Sequence, residues 1–296
     1  MGHALVETSA AARSTFEEAD RSLGFSLSKL CFEGPEAELG LTANTQPAIL
    51  VTSCALVAAL REAHPNLPTP ACAAGHSLGE YSALVAAGVF SAATAARVVR
   101  LRGAAMQRAV PEGLGGMLAV IGATEAAVEE LCALAREGDV LAPANFNSPG
   151  QIVIAGHQTA IERAQALAKQ QKTRAIPLKV SAPFHCGLMK PAAAELAHAL
   201  SDVRVSPLAF PVIANVDAAP YESVDQVVPK LVAQVDGAVR WEQTQLELER
   251  QGVTHVLELG PGSVLAGLMK KTAPSIAVLS VDGPSALAKV PQFLGL

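Results

Sequence analysis

The segment at residues 74–88, AGHSLGEYSALVAAG, limits what this 296-residue chain can fold into more than any other. A short apolar run ends at Gly75 and a helical pattern begins after Ser77, so the sequence predicts a strand, a sharp turn and a helix. Such a turn strains the serine backbone, and flanking glycines let neighbouring segments approach. The amide of Leu78, the first of the helix, would face a developing oxyanion. We therefore predict that Ser77 is a nucleophile; the alternative is a helix N-cap serine in a glycine turn.

A serine nucleophile needs a general base, and seven histidines compete for that role. His185 is the preferred candidate because it follows a predicted strand, on a loop stiffened by Pro183. Loops that follow strands are where α/β folds usually carry their catalytic groups. A structural histidine is the alternative.

The helix predicted at residues 91–109 carries one charged residue on its apolar face. At about 100° per residue, Arg102 falls on the same side as Val99 and Met106. The other arginines of this helix fall on the opposite side: Arg97, Arg100 and Arg108. A buried guanidinium is costly unless an anion meets it, and its planar fork suits a carboxylate. Arg102 is therefore predicted to bind a ligand carboxylate, to form a structural salt bridge, or to snorkel at the helix edge.

The order of predicted elements indicates an α/β protein of two domains. Pro47 suits the first turn of a helix predicted over 47–63, Ser91 is predicted to cap the helix that follows it, and another helix is predicted over 125–136. Short apolar runs predict strands at residues 71–74 and 174–180.

Residues 116–180 contain a βαββαβ series, which predicts an inserted ferredoxin-like small domain. Residues 1–115 and 181–296 are assigned to a hydrolase-like large domain with a parallel sheet. The Gly-Pro-Gly at residues 260–262 lacks the spacing of a phosphate-binding loop and is interpreted as a tight turn.

Composition narrows the functional classes. The net charge is −5 with scattered basic residues, which argues against nucleic-acid binding. The five cysteines include no CxxC pair, so reduced thiols and no metal site are expected. No signal-peptide pattern and no uncharged apolar run of about 18 residues was found, so we expect a cytoplasmic protein that does not bind membranes.

Several longer phrases, in a fixed order, carry a family resemblance. They are TQPA from Thr45, GHSLGEYSALVAAG from Gly75, RG..MQ.AVPEG from Arg102, NFNSPGQIVIAG from Asn145, PFHCGLMKPAA from Pro183 and ELGPGSVLAGL from Glu258. Together they resemble the malonyl-CoA:acyl carrier protein transacylases, from about residue 2 to the C-terminus.

The resemblance implies a role for each matching residue. Ser77 would accept the malonyl group, and His185 would be the base, oriented by the backbone carbonyl of Gln234 rather than by an acid. Arg102 would bind the free malonyl carboxylate. Phe184 would leave little room for a branched acyl group.

Two further positions match the family's pocket lining, Gln46 and Asn147; for both, a turn or capping amide is equally compatible. The implied reaction is a ping-pong transfer in fatty-acid biosynthesis, with malonyl-CoA as substrate, acyl carrier protein as partner and no tightly bound cofactor. We expect a monomer.

Family members normally begin with a short strand and a Gly-Gln-Gly-Ser-Gln loop, whereas this chain starts with MGHALVE, which corresponds to the segment after that loop. The loop would supply a second oxyanion donor, whose loss costs on the order of 10²–10³ in rate. Reduced activity is therefore an expectation.

Two other functions fit part of the pattern. A serine esterase or thioesterase would use Ser77 and His185, but a hydrolase of neutral esters has no use for an inward Arg102. A catalytically impaired paralogue that binds carrier protein without turnover is motivated by the loop expected to be missing.

Overall fold

The computed structural model describes residues 1–296. Its N-terminal part is helical. Seven helices fill the first 109 residues: α1 (His3–Thr8), α2 (Ala10–Leu23), α3 (Leu27–Glu33), α4 (Glu36–Leu39), α5 (Thr42–Ala63), α6 (Leu78–Ala86) and α7 (Ala92–Ala109). The predicted cap of α7 is confirmed, since the Ser91 hydroxyl accepts a hydrogen bond from the amide of Thr94 at 3.1 Å.

The two longest helices, α5 and α7, pack closely side by side. A Cβ on Gly103 of α7 would lie only 2.6 Å from the backbone oxygen of Thr42 in α5. This close approach requires glycine, and it brings the neighbouring Arg102 of α7 toward the first turns of α5.

Helix α5 starts earlier than the sequence predicted. A helix opened by Pro47 was expected, but Pro47 lies inside α5, which begins at Thr42. The added turn is held by side chains: Asn44 Nδ2 donates to the oxygen of Glu38 at 2.9 Å, and the Thr45 hydroxyl donates to the oxygen of Leu41 at 3.1 Å. A proline just past the first turn removes one helical hydrogen bond, and these contacts offset that loss.

Length and composition alone would let α5 cross a membrane. However, 67% of its most apolar window is buried inside the protein, where it forms part of the main core. Its apolar residues pack on α2 and α7 in this core.

The middle of the chain forms a four-stranded antiparallel sheet. Its elements are β1 (Gly115–Ile121), α8 (Glu125–Arg136), β2 (Leu141–Ser148), β3 (Gln151–His157), α9 (Gln158–Gln170) and β4 (Arg174–Pro177). The strand order is β2-β3-β1-β4, which is the ferredoxin-like arrangement, so the predicted α/β class with a βαββαβ insert is confirmed. The predicted last strand was too long, since β4 ends at Pro177. We retain 116–180 as the proposed extent of the small domain.

Both faces of this sheet are covered. Leu118 and Val120 of β1 face the helices α8 and α9, whereas Met117 and Ala119 pack in a second cluster with Cys186. The alternation follows from the two-residue period of a strand. The second face of the sheet therefore packs against the loop that carries His185.

The C-terminal part returns to the large domain. Its elements are α10 (Lys190–Leu200), α11 (Val227–Asp236), α12 (Trp241–Arg250), β5 (His255–Leu259), α13 (Val264–Thr272), β6 (Ala277–Val281), α14 (Pro284–Leu287) and α15 (Val290–Leu294). The predicted parallel pairing is present but short. Strands β5 and β6 are parallel, and the strand expected at residues 71–74 is reduced to one parallel bridge between Ala73 and Val212.

Candidate active site

The backbone turns sharply at Ser77, immediately before α6. Ser77 has φ 49° and ψ −101°, a conformation that L-residues rarely adopt. A Cβ on Gly75 would lie 2.0 Å from the backbone carbon of Gly79, so the turn closes only with glycine at that position. The strained turn that the sequence predicted is therefore present.

The turn presents the Ser77 hydroxyl to His185. Ser77 Oγ lies 2.8 Å from His185 Nε2, and His185 Nδ1 lies 2.8 Å from the backbone oxygen of Gln234. A carbonyl oxygen only accepts hydrogen bonds, so Nδ1 carries the proton and Nε2 is left as an acceptor. The serine hydroxyl consequently donates to Nε2, which is the arrangement that general-base activation requires.

His185 is held in its neutral form. Burial and the positive charge of Arg102 together lower its pKa to about 3, although the bond from Nδ1 to Gln234 acts in the opposite direction. The residue is buried, with φ 60°. Like Ser77, it occupies a strained conformation that the surrounding structure maintains.

Arg102 is buried beside the hydroxyl, as its place on α7 predicted; it is 2% exposed. One terminal nitrogen donates to Gln46 Oε1 at 2.8 Å. The other donates to Ser77 Oγ at 3.0 Å and to Gln234 Oε1 at 2.8 Å.

No carboxylate forms a salt bridge with Arg102, and its Nε has no hydrogen-bond partner. The structural salt bridge and the snorkelling alternative are both wrong for this residue. Its three partners are all uncharged oxygens, which leaves the cation able to bind an incoming anion.

Two other predicted site residues, Leu78 and Gln46, lie next to Ser77 and Arg102 respectively. The amide of Leu78, first in α6, donates no hydrogen bond within the chain. Gln46 is buried and contacts Arg102 directly, with its Nε2 3.7 Å from Met106 Sδ.

Asn147 is not bonded to the hydroxyl, the imidazole or the guanidinium. Its Oδ1 lies 2.8 Å from Nε2 of His76, which precedes the serine, and its backbone oxygen accepts from Gln245 Nε2 at 3.0 Å. Phe184 is half-buried and packs against both the large-domain core and the cluster under the small-domain sheet.

Three residues under the turn were missed by sequence reasoning. Asn215 Oδ1 accepts from the Ser77 amide at 2.6 Å, and its Nδ2 donates to the oxygen of Gly75 at 2.8 Å. Glu80 accepts from the amide of Asn215 at 3.1 Å and from the hydroxyl of Tyr221. The available signal was an acidic residue, Glu80, inside the apolar run of α6.

Known proteins resemble this chain over almost its whole length. The acyl transferase domain family model matches residues 1–291. The malonyl CoA-acyl carrier protein transacylase of Escherichia coli (strain K12) is 46% identical over 93% of this chain and 88% of its own length. The Bacillus subtilis (strain 168) protein of the same name is 43% identical over 99% of this chain and 92% of its own length.

Solved structures give the same result. An acyl carrier protein S-malonyltransferase from Vibrio cholerae superposes with a TM-score of 0.95 at 43% identity, covering 98% of this chain and 94% of that one. A malonyl-transacylase solved in complex with a type II PKS acyl-carrier protein gives 0.95 at 41% identity, covering 100% and 95%. The fold and the site define an α/β acyltransferase with a serine–histidine pair. The chain belongs to the acyl transferase domain family.

Proposed function

We propose that this chain transfers a malonyl group from malonyl-CoA to the phosphopantetheine thiol of acyl carrier protein, through a malonyl ester on Ser77. The observation that carries the proposal is Arg102, a buried cation without a carboxylate partner, 3.0 Å from the Ser77 hydroxyl. The names of the relatives support the same substrate pair.

In the first half-reaction, Ser77 Oγ attacks the thioester carbonyl carbon while His185 Nε2 takes the hydroxyl proton. The free amide of Leu78 donates to the oxyanion that forms. The carbon–sulfur bond then breaks, and the CoA sulfur leaves with the proton from His185.

In the second half-reaction, the pantetheine thiol gives its proton to His185 and its sulfur attacks the malonyl ester. The bond to Ser77 Oγ breaks, and the serine oxygen recovers the proton from His185. The pair is restored, so no external acid or base is consumed.

Arg102 selects the acyl group. The free carboxylate of malonate stands two carbon–carbon bonds from the ester carbonyl carbon, and a guanidinium beside Ser77 Oγ is within reach of it. A charge-assisted pair fixes one acyl pose and thereby favours the incoming thiol over water.

The remaining assignments are secondary parts of the proposal. Gln46 supports Arg102, Asn147 lines the approach through His76, and Phe184 restricts branched acyl groups. We place the reaction in fatty-acid biosynthesis by a cytoplasmic monomer.

The test is incubation with malonyl-CoA labelled in the malonyl group, followed by acyl carrier protein. Label should appear on Ser77 and then move to the carrier protein, and the Ser77→Ala variant should acquire none. Label released only as free malonate would instead identify a hydrolase, and label that never reaches Ser77 would refute the proposed intermediate.

A further inference from the structure

The protein buries one acidic and one basic side chain in the same place. Among its aspartate, glutamate, lysine and arginine residues, only Glu80 and Arg102 are buried, at 0% and 2% exposure. They form no direct salt bridge. The amide of Gln234 lies between them: its Oε1 accepts from Arg102 at 2.8 Å, and its Nε2 donates to Glu80 Oε2 at 2.7 Å.

Glu80 and the backbone oxygen of Ser77 together determine which way this amide faces. Both only accept hydrogen bonds, and Gln234 Nε2 donates to the Ser77 oxygen at 2.9 Å as well as to Glu80, so the nitrogen faces them and the oxygen faces Arg102. The reversed amide would bring an N–H against the guanidinium, which only donates. Glu80 thus helps to keep Gln234 Oε1 in the position where it accepts a hydrogen bond from Arg102.

The other contacts of Glu80 suit the ionised form. Its oxygens accept from three donors, the Gln234 amide, the amide of Asn215 and the hydroxyl of Tyr221. Burial raises the pKa of Glu80, and these donors and the charge of Arg102 limit the rise, so that the net pKa is about 7. The two amide donors cannot accept, so a protonated carboxyl could donate only to the Tyr221 hydroxyl, which would then have to turn its own proton away from Glu80.

We propose that Glu80 is a positioning residue for the acyl-carboxylate site, holding Arg102 through the side-chain amide of Gln234 and thereby setting the preference for acyl groups that carry a carboxylate. This inference rests on the proposed function. Glu80 touches neither the hydroxyl nor the imidazole. Its bond to the amide of Asn215 supports the turn, whereas its effect on the choice of acyl group passes through Gln234 to Arg102.

The test is the Glu80→Gln variant, assayed with malonyl-CoA and acetyl-CoA as acyl donors. The neutral amide keeps the shape of Glu80 but offers one acceptor oxygen to three donors, so the Gln234 amide is oriented chiefly by the Ser77 backbone oxygen and is held less firmly. We expect the ratio of kcat/KM for malonyl to that for acetyl to fall by about tenfold or more, since a hydrogen bond to a charged group is at stake.

A second variant breaks the same link at its other end. Gln234→Met removes the amide but keeps the backbone carbonyl that binds His185, so it should lower the ratio by a similar factor. It also removes the bond to the Ser77 backbone oxygen, which should slow both acyl donors without changing their ratio. If Glu80→Gln does not fold, this variant decides the question alone. In an Arg102→Ala background, both changes should leave the ratio unchanged, because the element they position is gone.

Tyr221→Phe is the matched control, because it removes a donor from the same carboxylate while leaving the charge and the Gln234 contact. Its ratio should stay within about twofold of the starting protein, while its melting temperature falls. Equal losses for both acyl donors in Glu80→Gln, or a ratio effect that persists without Arg102, would reduce Glu80 to a structural role. The unaltered protein reports on the proposed function separately: if it shows no malonyl preference, that proposal fails first.

Discussion

The two sides of the turn at Ser77 differ in how their polar groups are paired. On the side of His185 and Arg102, the amide of Leu78 is free and Arg102 Nε has no partner. On the opposite side, Asn215 and Glu80 use all of their side-chain oxygens and nitrogens. We call these the reactive side and the supporting side.

The difference shows where strain is stored and what maintains it. Unpaired buried donors cost about 1–3 kcal/mol each, and backbone conformations such as those of Ser77 and His185 cost a similar amount. The reactive side bears these costs because a substrate will later occupy its donors. The supporting side is fully paired, so it holds the strained turn in place before the substrate arrives.

The largest effect is expected from removing the hydroxyl that both sides position. Ser77→Ala and Ser77→Gly should each lower malonyl transfer by on the order of 10⁴–10⁶-fold. The glycine variant should nevertheless be about 1 kcal/mol more stable than the alanine variant, because only glycine adopts the turn without strain. Malonyl-enzyme formation and denaturant unfolding measure the two quantities; equal stabilities would show that the turn is unstrained.

A smaller effect is expected from removing the charge on the reactive side. Arg102→Ala should lower kcat/KM for malonyl-CoA by on the order of 10²-fold and leave that for acetyl-CoA within a few-fold, since a charge-assisted bond is lost only for the acyl carboxylate. Arg108→Ala is the control: it lies on the same helix and pairs with Glu195 at the surface. Unaltered malonyl selectivity in Arg102→Ala would contradict the role given to this residue.

Removing Asn215 from the supporting side should affect stability more than selectivity, in contrast to the change at Glu80. Asn215→Ala leaves the Ser77 amide and the Gly75 oxygen without partners, so the free energy of unfolding should fall by about 2–4 kcal/mol. Transfer should slow equally for malonyl and acetyl groups, because Asn215 holds the turn and not Arg102. Asn44→Ala, which removes a solvent-exposed bond on α5, should cost about 1 kcal/mol or less. A changed malonyl-to-acetyl ratio in Asn215→Ala would erase the distinction between the two sides.

The smallest effect concerns pH. Below its pKa, His185 would carry a proton on Nε2 and could not accept one from Ser77. Since burial lowers that pKa from 6.5 to about 3, the imidazole stays neutral well below pH 6.5. Acylation by acetyl-CoA, which avoids the carboxylate site, should change less than about twofold between pH 7 and pH 5.5, whereas an unshifted histidine would lose roughly tenfold over that range. A tenfold loss would show that the reactive side is open to water.

Local elements were largely predictable from the sequence. The ends of α7 and α8, the βαββαβ order and the tight turn at Ser77 follow from periodicity, capping residues and glycine spacing, which act within a few residues. The start of α5 was predicted one turn too late, because the side chains of Asn44 and Thr45 hold a turn that the proline rule excludes. The strand expected at residues 71–74 is only a bridge, because its pairing depends on the distant Val212.

The site residues also differ in whether the sequence could predict them. Ser77, His185 and Arg102 were recognisable as candidates because each has a local anomaly: a strained turn, a histidine after a strand, and a charge on an apolar face. Asn215 and Tyr221 carry no such anomaly. Their importance depends on which atoms they meet, and sequence spacing does not contain that information.

Backbone sterics and helical periodicity are local properties, so the order of amino acids is enough to predict a strained serine, a loop histidine and an inward arginine. The contacts of Arg102 with Gln46 and Gln234, which lie 56 and 132 residues away, and its lack of a carboxylate partner could be read only from the folded chain. The physical reason is packing: the partners of a buried charge are set by how α5, α7 and α11 come together, and that arrangement minimises the energy of the whole core rather than of any one segment.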